Sequence, residues 1–147
     1  MLRAVLSSPS CNPDPYFPGW VSLSTGVYLF SSEVGSWEEG RALCAREGGR
    51  LVEITSEDEN NAIGDFIATV PALQDLQFWI GLSDQYQEND WRWEGSNLTA
   101  TETFTNWNTG EPNNQDNNEH CAERGIDGKW NDDVCTRSYP PLCEKGM

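Results

Sequence analysis

The chain has 147 residues, which is enough for one domain with a hydrophobic core. It carries 24 acidic and 9 basic side chains, and the resulting formal charge of −15 argues against binding to nucleic acid or to anionic membrane surfaces. No apolar run reaches the roughly 18 residues that a membrane-spanning helix needs, so we expect no membrane insertion.

The N-terminal part of the chain divides into a tail and a strand hairpin. Residues 1–15 are rich in serine and proline and contain Cys11, and we expect them to precede a domain that spans residues 16–147. Two apolar segments, Trp20–Leu23 and Val27–Phe30, flank a Ser-Thr-Gly sequence. This pattern predicts two strands joined by a turn.

Two capping sequences predict two helices. Ser36 and Glu39 form a capping box, and the helix that they open is expected to run through Arg46. Its core-facing side chains are expected to be Trp37, Ala42, Leu43 and Cys44. Ser56 caps a second helix, which Pro71 ends. The apolar face of that helix is expected to comprise Ile63, Phe66, Ile67 and Val70.

Three further segments have the composition of short strands. Leu51–Ile54 and Phe78–Leu82 are apolar runs, whereas Trp91–Trp93 alternates like a half-exposed strand. Long loops separate the strands in the second half of the chain. Early helices followed by late short strands predict an α+β domain.

The five cysteines indicate an oxidising compartment, and we therefore expect a secreted or extracellular protein. Catalytic or buried free thiols are the alternative interpretation. Because the count is odd, two disulfides would leave one cysteine over, and fifteen arrangements are possible. The spacing of the cysteines alone does not choose among them.

The segment from Asn106 to Asp133 is dense in oxygen ligands. Seven of the thirteen residues from 106 to 118 are Asn or Asp, which favour turns and loops. The candidate metal ligands are Glu111, Asn113, Glu119, Asn131 and Asp132. Calcium prefers such carboxylate and amide oxygens, whereas zinc would need cysteine or histidine ligands at short spacing. We interpret the segment as a long calcium-binding loop; an acidic, solvated loop without an ion is the alternative.

Several landmarks together resemble a C-type lectin carbohydrate-recognition domain over about residues 16–145. They are Trp79-Ile-Gly-Leu82, Glu111-Pro-Asn113, Trp130-Asn-Asp132 and the cysteines at positions 44, 121, 135 and 143. The resemblance implies the disulfides Cys44–Cys143 and Cys121–Cys135. It also implies a cis peptide bond between Glu111 and Pro112, and a fold with two helices, short antiparallel strands and a long calcium-binding loop.

The resemblance further implies how ligand would bind. The five candidate ligands would hold the principal calcium, with a backbone carbonyl from Asp132, and two neighbouring sugar hydroxyls would complete the shell. The same five residues would hydrogen-bond the sugar. The order of Glu111 before Asn113 goes with mannose, N-acetylglucosamine and fucose in this family, although some members with this order take galactose by turning the ring onto an aromatic side chain. The expected partners are therefore mannose-type glycans.

Three departures from the family pattern bear on these expectations. An auxiliary calcium would use Asp84, Glu88, Asn114 and Glu119 together with an acidic residue, but this chain has His120 there, which should weaken or abolish that site. Long-form members of the family carry a disulfide across the first hairpin, and this chain has Phe17 and Val27 at the corresponding positions. Cys11 has no family partner and is a candidate interchain thiol for a disulfide-linked homodimer; an inert tail cysteine is the alternative.

Other functions were weighed against sugar binding. The same loop could bind ice or a protein partner, since related domains have been turned to such ligands. An enzyme is not expected, because the single histidine precedes a cysteine expected in a disulfide and leaves no Ser-His or Cys-His arrangement. The sequence Asn97-Leu-Thr99 matches the N-glycosylation motif, which is short and often arises by chance.

Overall fold

The computed structural model describes residues 19–146, which form three helices and eight strands in two antiparallel sheets. The helices are α1 (Trp37–Arg46), α2 (Glu57–Ala68) and α3 (Ala100–Thr103). The strands are β1 (Trp20–Leu23), β2 (Gly26–Phe30), β3 (Arg50–Leu51), β4 (Phe78–Ser83), β5 (Arg92–Trp93), β6 (Cys121–Arg124), β7 (Trp130–Asp133) and β8 (Leu142–Lys145). The predicted α+β class is confirmed, and the one-turn helix α3 is an addition to the two helices expected.

The first sheet contains the three N-terminal strands and the last strand, and the second sheet contains the four strands between them. In the first sheet the strand order is β1-β2-β8-β3, so the last strand lies beside the N-terminal hairpin. In the second sheet the order is β5-β4-β6-β7, and β6 and β7 form a hairpin in which Glu123 lies opposite Asn131. The long loop that carries most candidate ligands enters this second sheet through β6.

Both predicted helices begin at their capping serines. The hydroxyl of Ser36 accepts from the backbone N–H of Glu39 at 3.1 Å, and the Glu39 carboxylate accepts from the Ser36 N–H at 2.9 Å. α1 buries Trp37 together with residues 40, 43 and 44. Ala42 is exposed, so its predicted core position is wrong: five residues after Trp37, it is rotated by about 140° from it around the helix.

The strand expected over Leu51–Ile54 is shorter in the structure, where only Arg50 and Leu51 pair with β8. Val52 donates its N–H to Leu142 of the first sheet at 2.9 Å and accepts from Gly81 of the second at 2.8 Å. The backbone here crosses from one sheet to the other. The apolar run reflects burial between the two sheets and not a longer strand.

Two disulfides staple the described domain. Cys44–Cys143 joins α1 to β8, and Cys121–Cys135 joins the start of β6 to the segment that follows β7. This is the pairing that the resemblance implies. The bridges close loops of 99 and 14 residues, which corresponds to roughly 4 to 5 and about 3 kcal/mol in the loop-entropy description.

A cluster of indole rings lies beneath the long loop. Trp130 of β7 is fully buried and packs edge-on against Trp93 and Trp107, with ring centroids 5.5 and 5.9 Å apart. Trp107 also packs against Trp91 at 5.0 Å. The large aromatic side chains near the loop therefore pack beneath it as part of the core.

Candidate metal centre

The start of the long loop is fixed against β7 by backbone hydrogen bonds. The N–H of Trp130 donates to Asn106 at 2.9 Å, and the N–H of Asn108 donates to the carbonyl of Trp130 at 2.8 Å. The N–H of Glu111 then donates to Asn108 at 2.9 Å. These bonds place Glu111 at the edge of the sheet, and the peptide bond that follows it, to Pro112, is cis.

Asp132 holds the middle of the loop. Its carboxylate accepts from the backbone N–H of Asn113 at 3.1 Å and from that of Asn114 at 2.6 Å. Asp132 itself is buried on β7, with 3 % of its surface exposed. One candidate ligand thus binds the backbone of another, although the two lie 19 residues apart in the chain.

The second half of the loop turns through the left-handed region. Asn114, Asp116 and Asn117 have φ values of 45°, 59° and 55°. Asn and Asp tolerate this region better than other non-glycine residues, which explains why the loop is so rich in them. The turn returns Glu119 to the site: its carboxylate accepts from Gln115 N–H at 3.1 Å, and its own N–H donates to the Asn114 side chain at 3.0 Å.

The assembled carboxylates repel one another. Burial raises the pKa of Glu111 to about 7, assisted by the nearby carboxylates of Asp132 and Glu119. Burial also raises the pKa of Glu119, with Asp132 and Asp133 adding to the effect. The Oε1 atom of Glu111 is buried without a hydrogen-bond partner. A divalent cation would pair with this buried oxygen and would reduce the repulsion among the carboxylates. These residues therefore fit the calcium that the sequence predicts.

Asn131 has a partner that sequence reasoning missed. Its Nδ2 donates to Oε2 of Glu123 at 3.2 Å, across the β6–β7 hairpin. Glu123 is 2 % exposed, and burial raises its pKa to about 7. Pairing Cys121–Arg124 with Trp130–Asp133 about the intervening Gly-rich turn would have placed Glu123 opposite Asn131 from the sequence alone.

A second cluster lies where the auxiliary calcium was considered. Potential ligand atoms of Asp84, Glu88 and His120 lie within 4.8 Å of one another. The imidazole Nδ1 is 3.0 Å from Asp84 and 3.5 Å from Glu88, so it occupies the space between the two carboxylates. Asn114 joins the cluster by donating to Glu88 at 2.7 Å, whereas the Glu119 carboxylate is bonded to Gln115 instead. A calcium shell of oxygens does not fit an imidazole in this position.

The glycosylation motif and the N-terminal tail are the remaining predicted features. Asn97 is exposed, in a left-handed conformation just before α3, and the hydroxyl of Thr99 accepts from Glu102 N–H as the cap of that helix. Its glycosylation stays a prediction. Cys11, Phe17 and the proposed tail of residues 1–15 lie outside the described residues.

Comparison with known proteins identifies the family of the chain. Residues 33–145 match the Lectin C-type domain family. The chain belongs to this family. Over 134 residues it is 35 % identical to a perlucin-like protein of Mytilus galloprovincialis, covering 89 % of the chain and 83 % of the relative. Over 131 residues it is 38 % identical to asialoglycoprotein receptor 1 of Mus musculus, covering 85 % of the chain but 43 % of that relative.

Solved structures show the same fold. The carbohydrate-recognition domain of the mouse scavenger receptor C-type lectin superposes with a TM-score of 0.75 at 33 % identity, covering 88 % of this chain and 95 % of that one. The cow CD23 domain, determined in the presence of a GlcNAc2Man3 oligosaccharide, gives 0.75 at 30 % identity, covering 93 % and 98 %.

Family membership establishes the general function. C-type lectin domains bind carbohydrate, are generally calcium-dependent and are not enzymes. The two disulfides indicate an extracellular domain. Among residues 19–146, no helix is long and apolar enough to cross a membrane.

Proposed function

We propose that this domain binds glycans through one calcium ion. The ligands of that ion are the five predicted side chains: Glu111, Asn113, Glu119, Asn131 and Asp132. The observation that carries the proposal is the clamp of Asp132 on the backbone of Asn113 and Asn114, together with the unpaired, buried oxygen of Glu111. The clamp brings the loop and β7 to one place, and the unpaired oxygen leaves a position for a cation.

The side chains around the ion provide both kinds of hydrogen-bonding group. Bound calcium supplies a Lewis-acidic centre that accepts lone pairs from two neighbouring sugar hydroxyls. Carboxylates such as Glu111 and Glu119 accept the hydroxyl protons, and the amides of Asn113 and Asn131 donate N–H groups to the hydroxyl oxygens. The site therefore discriminates between sugars by the direction in which their hydroxyls can donate and accept.

Mannose-type glycans are the proposed ligands. Their support is the order of Glu111 before Asn113, which places the acceptor and the donor on defined sides of the loop. Galactose with a turned ring is the second candidate. Trp107, shortly before Glu111 in the sequence and half-buried at the base of the loop, is the aromatic side chain proposed to contact that ring. Ice or a protein partner is the remaining alternative for the same loop.

We propose a single calcium for the described domain. His120 lies between Asp84 and Glu88, and Asn114 occupies another position of the auxiliary set. The imidazole stands where the family has an acidic residue, and calcium binds it less well than a carboxylate. The domain is further proposed to be secreted, and its N-terminal Cys11 to join two copies through a disulfide.

A glycan array run with calcium and with chelator tests the proposed function. We expect mannose-terminated glycans to be retained only in calcium, and free mannose to displace them better than free galactose. Retention that is insensitive to chelator would contradict the calcium mechanism. Thermal hysteresis without glycan binding would favour the ice-binding alternative.

A further inference from the structure

The neighbours of Asn131 in the sequence do not determine which end of its side-chain amide faces the ion. A side-chain amide has an oxygen and a nitrogen end of nearly equal shape, and only its hydrogen-bond partners decide which end faces which way. Calcium accepts the oxygen end alone. A ligand asparagine therefore needs a neighbour that holds its nitrogen away from the ion.

Glu123 is placed to do this. It lies directly opposite Asn131 in the β6–β7 hairpin, and its Oε2 accepts from the Asn131 Nδ2 at 3.2 Å. On its other side, β4 places Trp79 opposite Glu123, so the three residues form one row across the sheet. Directly opposite residues share a face of the sheet, which explains why both the indole and the carboxylate are buried.

Burial restricts the movement of the Glu123 carboxylate beside Asn131. Only 2 % of its surface is exposed, and its second oxygen, Oε1, is buried without a hydrogen-bond partner. A carboxylate accepts and cannot donate, so it can face only the nitrogen end of the Asn131 amide.

The space around the amide is narrow as well. A Cβ atom added at Gly125 would lie 3.3 Å from the Asn131 Nδ2, which is closer than side chains normally approach. One side of the amide nitrogen thus faces the Glu123 carboxylate and the turn that follows β6, and its second N–H stays available to a sugar hydroxyl. Rotation of the amide would bring its oxygen against that carboxylate and lose the hydrogen bond.

From this arrangement we infer that Glu123 is a positioning residue for the metal centre, which holds the oxygen of Asn131 toward calcium. The inference rests on the proposed calcium-dependent function and adds to it a residue outside the five ligands. Partners that orient metal ligands typically contribute about 10- to 100-fold in metal affinity. We expect Glu123→Leu to weaken calcium binding by that range, whereas Glu123→Gln, which keeps an acceptor oxygen, should stay within about threefold of the parent chain.

A change at Asn131 separates orientation from a merely structural role. Asn131→Asp places an oxygen at both ends of the side chain, so its rotation no longer matters to the ion. In that background Glu123→Leu should leave calcium affinity unchanged or increase it, because it also removes a like charge from the new aspartate. A structural defect at Glu123 would lower the affinity in both backgrounds.

The experiment is a calcium titration by calorimetry of the parent chain, Glu123→Leu, Glu123→Gln, Asn131→Asp and the double variant, with folding checked by circular dichroism in chelator. Glu123→Ala replaces Glu123→Leu if the latter does not fold. A parent chain without calcium binding would remove the proposed function and this inference together. With calcium bound by the parent, equal affinity of Glu123→Leu, equal losses in the Leu and Gln variants, or a loss that persists with Asn131→Asp would each overturn the inference alone.

Discussion

At the scale of single residues, the candidate ligands differ in what else they do. Asp132 bonds two backbone N–H groups of the long loop, whereas Asn131 is held by a side chain of the neighbouring strand. Asp132 therefore supports the shape of the loop, whereas Asn131 makes its contact within the hairpin. Residue type predicts that both bind calcium, but only the contacts separate their structural contributions.

Asn131→Ala and Asp132→Ala should both abolish calcium-dependent sugar binding, but with different effects on stability. In chelator, Asp132→Ala should lower the free energy of unfolding by about 1 to 3 kcal/mol, because two backbone donors lose a charged acceptor. Asn131→Ala should lower it by less, because that change removes one hydrogen bond, to Glu123, and none to the loop backbone. Thermal unfolding of the two variants in chelator makes the comparison, and equal losses of stability would contradict the clamping role of Asp132.

Exchanging the hydrogen-bonding roles across the loop should change the sugar. Glu111→Gln with Asn113→Asp keeps oxygens for the ion but moves the acceptor and the donor to opposite sides. Mannose binding should fall and galactose binding rise, because a site built for one hydroxyl pattern leaves polar groups unpaired with another. Competition by the two free sugars measures this. A double variant that still prefers mannose would place recognition elsewhere.

At the scale of elements, the second sheet and the long loop form one unit. The β6–β7 hairpin supplies two ligands, the loop supplies three, and Cys121–Cys135 closes the hairpin at its open end. The turn after β4 adds Asp84 and Glu88 beside the returning loop. The principal and auxiliary positions thus share the loop, and Asn114 contacts groups of both.

His120→Asp should restore a calcium ligand at the junction of the β4 turn with β6. The parent domain should bind one calcium, and the variant should bind a second, weaker one, because a carboxylate replaces the imidazole between Asp84 and Glu88. Calorimetry gives the two stoichiometries. His120→Asn is the matched control, since it removes the imidazole without adding charge. A second ion in the parent chain would contradict the proposal of a single calcium.

At the scale of the whole molecule, charge dominates. The net charge is −15, and four glutamates have pKa values raised by burial: Glu111, Glu119, Glu123 and Glu144. Each binds a proton more readily in the folded chain than in the unfolded one. The stability that each contributes is present at low pH and is lost as pH rises through the folded-state pKa.

The calcium-free domain should therefore lose stability as pH rises from about 4.5 to about 7, the ordinary and folded-state pKa values of Glu111 and Glu123. Calcium competes with the protons on Glu111, so the increase in melting temperature that calcium causes should grow over the same interval and then level off. Melting curves across pH, in chelator and in calcium, test both trends. Glu111→Gln should flatten the chelator curve, and a calcium effect that grows toward low pH would contradict this linkage.

Assembly is the second property of the whole molecule. Two hydroxyls on one ion should hold a monosaccharide at about millimolar strength, so recognition of a glycan-coated surface needs several sites. Linking two domains through Cys11 would raise avidity by roughly 10² to 10⁴. Cys11→Ser should abolish agglutination of mannan-coated particles and leave monosaccharide affinity unchanged. Electrophoresis without reductant that shows only monomer would contradict a disulfide-linked dimer.

The sequence by itself determined the local features of this protein. Capping serines set the starts of α1 and α2, and the density of Asn and Asp predicted a loop that turns through left-handed conformations. The α+β class and the family followed from the order of these elements and motifs. These features depend on short-range hydrogen bonding and backbone sterics, which neighbouring residues control.

Only the tertiary structure decided which distant groups meet. That Asp132 bonds the loop backbone and that His120 lies between two carboxylates depend on how separate elements pack. The burial of Glu123, which lies opposite Asn131 in the hairpin, depends on β4 on its other side. Contacts between residues far apart in the chain arise when packing and loop closure are satisfied together, and no local preference encodes that balance.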